Sequence, residues 1–430
     1  MPPFFASIER FFRLPDLRRK FFIVVGLIIV SRIVSTIPIP GVDHQKLTDY
    51  LSTDQAFALL SIFTGNGLLN FSVALMGVGP YITSSIIFQL LTYVIPSLES
   101  LQKEGEYGRR KINQYTRICT IPLAFIQGFG TLTYLRNAGL ISEWTPWNLV
   151  FMLIISTAGT LLLMWIGELI SEQGLGNGLS ILITVGIISS FPNQLKQTYD
   201  LYATNASSTE LLQLAGYGAL AIFALAVIIL MNEGQRTIPV SYARRVRGNK
   251  IYGGVDTYLP IKVNASGVVP IIFAVSMVLF PTIIAEFLTK ASSPQVQHIG
   301  NVVQAFFKNQ WNYMAIYSIL VIAFTYFYTF IIFQPKQMAE DLQKQGGFIP
   351  GVRPGTDTEK YLYTIISRLT LAGAIFLALI AILPYITQQA TNVKTLSLGG
   401  TSLLIVVSVV LEIMRQVRAA LITRTYDTYI

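Results

Sequence analysis

Residues able to do chemistry are few and scattered in this sequence, and their spacing excludes most reactions. The single cysteine, Cys119, rules out an internal disulfide, and two histidines, His44 and His298, do not by themselves make a metal site of the usual kinds. No segment has the order Gly-x-x-x-x-Gly-Lys-Ser/Thr that cradles nucleotide phosphates, so the chain is not expected to hydrolyse ATP itself. Gly174, Gly176 and Gly178 before Ser180 look like a glycine-rich phosphate cradle, but that motif needs a preceding strand and here an apolar span precedes it. A close-packed helix turn is the expected use. Proteolysis inside a membrane would need paired Asp, a zinc-binding His pair or a Ser with His at depth, and no apolar span contains Asp or His. Glu168, Glu233, Glu286 and Glu412 lie near span ends, and Arg32, in the outer half of the first span, has a stem long enough to snorkel or to pair with a neighbour. No enzymatic step, cofactor or metal is expected.

The elements that would position these residues are membrane spans. With 52% hydrophobic and 12% charged residues over 430 positions, the chain falls outside the soluble balance. Apolar runs of about 18 residues or more predict ten spans: Phe21–Ile39, Val73–Val94, Ile118–Leu135, Leu149–Ile170, Leu175–Phe191, Leu211–Met231, Gly267–Leu288, Tyr313–Phe333, Ile365–Ile386 and Leu396–Met414. Phe4 to Lys20 is basic and aromatic and does not read as a cleavable signal, so insertion is expected to begin with a retained span. With the N-terminus inside, the arginines and lysines outside the spans gather in inside segments. Lys46, Arg136, Lys196, Lys290, Lys308 and Lys394 alone fall on the other face. This predicts both termini in the cytoplasm.

Ten spans cut into five and five, and because five is odd the halves would cross the membrane in opposite senses, as an inverted repeat. The second span of one half opens Gly77-Val78-Gly79-Pro80 and that of the other Gly267-Val268-Val269-Pro270. Paired Gly/Pro-marked spans point to a central pathway. Such repeats also mark ion-coupled solute transporters, but those normally carry ionisable groups inside the membrane.

One stretch is neither span nor ordinary loop. Ser61, Thr64, Gly65, Asn66, Gly67 and Asn70 alternate with Ile62, Phe63, Leu68, Leu69 and Phe71, too polar to face lipid and too apolar for a solvated turn. Irregular backbone at membrane depth is tolerated only where protein buries it or where it lines a wet cavity, so a cavity is expected to hold this segment. Two long inside loops also stand out. Arg236–Lys262 is rich in Arg, Gly and Tyr, and Pro335–Leu362 carries Gly346, Gly347, Pro350, Gly351, Pro354 and Gly355 around Arg353. Both suit anionic lipid, and their length and turn chemistry favour loops that project rather than pack and that dock a cytosolic partner.

Several stretches resemble the SecY family, the channel subunits of the bacterial protein translocase. They include Ile37-Pro38-Ile39-Pro40-Gly41, Pro80-Tyr81-Ile82 with Gln89-Leu90-Leu91, Gly105-Glu106 with Gly108-Arg109-Arg110-Lys111, and Trp165-Ile166-Gly167-Glu168. Further on come Gly176-Asn177-Gly178, Gln235-Arg236, Leu259-Pro260-Ile261-Lys262-Val263-Asn264, Phe348-Ile349-Pro350-Gly351-Val352-Arg353-Pro354-Gly355 and Gly399-Gly400-Thr401-Ser402-Leu403. The matches are collinear from end to end. The resemblance implies an all-α polytopic membrane protein, ten helices in two inverted five-helix halves around a central pore. The halves are taken as 1–191 and 192–430. The implied activity is translocation of unfolded, signal-bearing polypeptides, with lateral release of transmembrane segments into the cytoplasmic membrane; an inverted-repeat solute transporter is the alternative.

By position in those motifs, the resemblance puts an apolar pore ring on Val78, Ile82, Leu179, Ile183, Ile272 and Ile405, and makes residues 61–71 a plug on its external side. Branched aliphatic side chains suit a gasket that must deform around every kind of side chain and bond to none. A lateral gate opening to lipid carries the polar residues Gln89 and Asn264. The two inside loops, Arg236 among their residues, would dock the ribosome or the SecA motor ATPase; Arg244, Arg245, Arg247 and Lys250 would meet ribosomal RNA phosphates, and Arg353 the motor. SecE and SecG are the implied membrane partners, and signal peptides and translocating polypeptides the cargo. Val78 and Leu179 stand where isoleucines are more typical, and Gly79 where a larger residue is common.

Overall fold

The computed structural model describes residues 13–40, 67–68, 70–137, 139–141, 145–203, 208–242, 245–247, 250–252, 256–289, 293–391 and 400–427. The chain packs as two units, Met1–Leu201 with Val409–Ile430, and Tyr202–Ser408.

The first unit holds α1 (Pro15–Thr36), α2 (Gly79–Val94), α3 (Pro96–Lys103), α4 (Glu106–Asn137), α5 (Pro146–Glu172) and most of α6 (Gly178–Ala203). Proline opens several of these helices, at first-turn positions where its missing N–H loses nothing. Thr145 caps α5 by accepting a hydrogen bond from the Asn148 amide. Pro96 holds Ile95 extended, so α2 ends there and α3 leaves at 100°. The second span was expected from Val73, but its helix begins only at Gly79. Gly77 has φ +55°, a left-handed residue that a continuing helix does not admit, and residues 73–78 form turns instead. Close packing supports this irregular stretch, because a Cβ on Gly159 of α5 would lie 2.0 Å from the Val73 carbonyl oxygen.

The second unit runs α7 (Ser208–Glu233), β1 (Gln235–Tyr242), β2 (Arg245–Arg247), β3 (Lys250–Tyr252), β4 (Thr257–Lys262), α8 (Val269–Leu288), α9 (Pro294–Lys308), α10 (Gln310–Phe333), α11 (Pro335–Lys344), β5 (Gly347–Phe348) and α12 (Thr356–Thr391). The last helix, α13 (Gly400–Asp427), begins in this unit and ends in the first. Within the second unit α10 packs on α12, and α8 on both α9 and α10. Each of the ten expected spans falls on a helix: α1, α2, α4, α5, α6, α7, α8, α10, α12 and α13. Among the described residues six helices are individually long and apolar enough to cross a bilayer, or seven with the bent pair α2–α3.

The two inside loops do not project separately, as expected, but fold together. Strand β1 pairs antiparallel with β4, Gln235 opposite Lys262 and Val240 opposite Thr257, and then with β5 through Ser241–Phe348 and Tyr242–Gly347. Ile238 and Ile261 of this sheet are buried with Ala339 of α11, Ile349, and Leu362, Ile365 and Ile366 of α12. Alternation along β1 puts Ile238 and Val240 inside and Arg236 and Pro239 outside. Pro239 is tolerated because β5 reaches only the last two residues of β1, so no ladder donor is needed at that position.

Candidate functional site

The glycine-marked turn between α5 and α6 is a packing device. Asn177 caps α6, its Oδ1 accepting from the Leu179 and Ser180 amides, while the Ser171 hydroxyl accepts from the Gly178 amide. A Cβ on Gly178 would sit 1.9 Å from the Gly167 carbonyl oxygen. The first turn of α6 is thereby pressed against α5, and Leu179 lies against Gly167.

The first two turns of α6 carry two of the six aliphatic positions, half-buried Leu179 and buried Ile183. Buried Val78 is the N-cap of α2, and half-buried Ile82 donates its amide to the Val78 carbonyl. In the second unit, half-buried Ile272 lies in the first turn of α8 and buried Ile405 in the second turn of α13. All six therefore sit at or near helix N-termini. Among the described residues, glycines in the left-handed region precede three of these helices: Gly77 before α2, Gly174 and Gly176 before α6, and Gly267 before α8.

Ser61, Ile62, Phe63, Thr64, Gly65, Asn66 and Leu69 lie outside the described residues, so only the end of the proposed plug is seen. Leu68 and Phe71 are fully buried, in an apolar cluster with Ile39, Leu75, Met76, Leu132 and Leu135 of α4, and Met152 and Leu153 of α5. Phe71, at φ +43°, folds the backbone so that Ile39 donates to its carbonyl, and Val73 in turn donates to Ile37. The Gly67 carbonyl accepts from both the amide and the hydroxyl of Ser72. Asn70 is exposed, with its amide 3.4 Å from the Ser35 carbonyl. The end of the segment thus joins the end of α1 to the end of α4 and the start of α5.

Gln89 is an exposed residue of α2. Asn264 is buried in the turn between β4 and α8, where it donates to the Asn232 carboxamide at 2.8 Å and accepts from the Ser266 hydroxyl at 3.5 Å. Asn232, buried at the end of α7, donates in turn to Ser408 of α13 at 3.0 Å. Sequence reasoning missed Asn232 and Ser408; an asparagine directly after an apolar span was the available signal. Below this network the Gly234 carbonyl accepts from the Val263 amide, so the ends of β1 and β4 are tied where the helices begin. Arg32 donates to the Val185 carbonyl and the Ser189 hydroxyl of α6, and Arg117 of α4 meets Glu168 of α5 at 2.7 Å.

On the sheet, Arg236 is exposed, and the ribbon β2–β3 sets Arg247 opposite Lys250 and Arg245 opposite Tyr252. Arg244 lies outside the described residues. Arg353 is exposed in a tight loop between buried Ile349 and the start of α12, with Gly351 and Gly355 at φ +83° and +101°. The Thr358 hydroxyl donates to its carbonyl at 2.9 Å, and its guanidinium makes no ion pair among the described residues.

The SecY family model matches residues 72–414. The protein translocase subunit SecY of Halalkalibacterium halodurans is 43% identical over 433 residues, covering 99% of this chain and all of that one. Two solved channels share the fold. One is a SecY protein whose plug domain stabilises its closed state and maintains a membrane seal, with TM-score 0.57, 19% identity, and 92% and 91% of the two chains covered. The other is Sec61 of a canine ribosome–channel complex from the endoplasmic reticulum, with TM-score 0.55, 17% identity, and 93% and 91% covered. With the family model spanning most of its length and a relative of this identity matched end to end, this multi-pass membrane chain belongs to the SecY family.

Proposed function

We propose that this chain conducts unfolded, signal-bearing polypeptides across the bacterial cytoplasmic membrane and releases transmembrane segments sideways into lipid. The observation that carries the reading, beside family membership, is the set of uncharged branched side chains at the starts of α2, α6, α8 and α13, three of them entered through a left-handed glycine turn. Val78, Ile82, Leu179, Ile183, Ile272 and Ile405 act as a deformable apolar ring. Residues 61–71 seal it from the external side, their anchored end fastened to the outer ends of α1, α4 and α5, and Gln89 and Asn264 lie on the gate. The halves that part are 1–191 and 192–430. Both termini are cytoplasmic, and the chain performs no catalytic step of its own.

Conductance tests this reading. Vesicles holding the chain with SecE and SecG should be electrically silent alone and open when a signal peptide is added, and removal of residues 61–71 should raise the resting leak. Solute-coupled current without any response to signal peptide would instead restore the transporter.

The sheet and its ribbon dock the ribosome or SecA through residues that include Arg236, with Arg244, Arg245, Arg247 and Lys250 on rRNA phosphates and Arg353 on SecA; lipid-facing arginines and lysines meet anionic headgroups. A phosphate contact releases counterions, so affinity should fall log-linearly with salt. Charge-reversed Arg245 and Arg247 should weaken ribosome binding at low salt and flatten that slope by roughly one unit per lost contact. An unchanged slope in a co-sedimentation titration would place the contact elsewhere.

A further inference from the structure

The helix α9 has no part in the channel reading, yet it is built to a pattern. Helix α8 starts beside the sheet and runs 20 residues, about 30 Å at 1.5 Å per residue. At its far end the chain forms α9, and α10 then returns to α11. So α9 lies across the ends of two spans, on the side away from the sheet. It is fastened by one face: Gly300 is buried, and a Cβ there would lie 2.6 Å from the Thr289 amide nitrogen and 2.8 Å from the Leu288 carbonyl carbon. Val296, Val303 and Phe307, partly buried, flank Gly300 on that face.

The apolar arc continues past this contact. At 100° per residue, Ile299, Val302 and Phe306 come next around the helix, with exposed Gln295 of the first turn among them, and the three apolar side chains are 55%, 55% and 44% exposed. Gln297, Asn301 and Lys308 occupy the opposite arc and are exposed as well. A helix whose apolar arc is about twice as wide as the surface it packs on needs a second apolar medium.

We infer that α9 is an in-plane helix whose Ile299, Val302 and Phe306 enter the bilayer at the headgroup boundary, with the lipid surface itself as partner. Its two ends are tied to apolar spans, so it cannot leave the membrane surface. Its uncovered arc continues the lipid-facing belt of those spans, with Ile284 exposed one turn before the end of α8 and Trp311 67% exposed in the first turn of α10. Tryptophan at that depth is a usual interface anchor. A helix with a wide apolar arc and a polar arc bearing a lysine is the pattern of in-plane binding, the lysine reaching headgroup phosphate.

The test places a fluorophore on each arc of the full chain. In a Cys119→Ser background, Val302→Cys and Asn301→Cys are labelled with an environment-sensitive dye. The chain is then reconstituted in nanodiscs of phosphatidylethanolamine and phosphatidylglycerol. Shallow nitroxide lipids should quench position 302 several-fold more than position 301, and aqueous iodide should show the reverse order. Phe306→Cys, on the same arc, should repeat the result for 302 and serves if the first variant folds poorly. Equal iodide access at 302 and 301 overturns the inference, and so does cross-linking between chains through 302, which would make a second copy the occupant.

Discussion

Arg353→Glu is expected to abolish motor-driven export while leaving the fold intact. The guanidinium is exposed and forms no ion pair among the described residues, so its loss removes no internal contact of that kind. What shapes the loop is elsewhere: Ile349 is buried in the sheet–α12 core, Gly351 and Gly355 take backbone conformations that other residues resist, and Thr358 bonds to the Arg353 carbonyl, which any side chain retains. Surface substitutions away from such features usually change stability by less than about 0.5 kcal/mol. Reversing the charge at a docking cation instead replaces attraction by repulsion, and truncating a buried charge pair at an interface costs about 2–5 kcal/mol, a factor of roughly thirty or more in affinity. ATP-dependent translocation into vesicles containing the mutant channel should fall at least tenfold, with melting unchanged. Equal export by mutant and parent would remove Arg353 from the motor contact; a lowered melting temperature would make it a structural residue. Gly351→Ala supplies the contrast, since at φ +83° it strains the loop itself and should lower melting and export together.

The spans were legible in the sequence because burial in lipid is a matter of composition, and a long apolar run leaves little choice but helix. Their ends were less so. The start of α2 moved from Val73 to Gly79 because hydropathy does not register a left-handed Gly77. Helices α3, α9 and α11 were not foreseen, being short and amphipathic, although each opens on a proline, Pro96, Pro294 or Pro335, the one local sign of a helix start. The sheet was hidden for a different reason. Its pairing partners are far apart in sequence, β5 has two residues, and prolines at 239 and 260 argue against strands unless it is known that no strand lies opposite their nitrogens. Glycine and proline density around Arg353 therefore read as a projecting loop, when its role is to turn the chain tightly between packed elements. Asn264 was found through the family motif, but its bonding to Asn232 joins residues 32 apart whose types carry no pairing signal.

That bonding leads to the second large effect, a shift in the proposed lateral gate on replacing Asn232 by leucine as well as on replacing Asn264. Both carboxamides are buried, and Gly373 of α12 approaches so closely that a Cβ there would lie 2.6 Å from the Val263 carbonyl oxygen, leaving little room for the turn to move aside. Losing either partner leaves the other short of a hydrogen bond away from water, a cost of about 1–3 kcal/mol, whereas replacing both by apolar groups of similar shape is far milder. Asn232→Leu and Asn264→Leu should each lower the resistance of the reconstituted chain to unfolding. The double variant should lie well short of their sum, a coupling that a double-mutant cycle reads directly. The functional consequence follows from position, since Asn264 sits in the turn that starts α8, and Asn232 reaches Ser408 of α13. Loosening the pair frees the start of α8, which carries Ile272, and the stretch of α13 at Ser408, three residues after Ile405, so export of cargo with weak signals should rise in either single variant. A gate held by Gln89 and Asn264 alone predicts otherwise, with Gln89→Leu and Asn264→Leu active and Asn232→Leu silent, and a secretion assay on the three single variants decides between them.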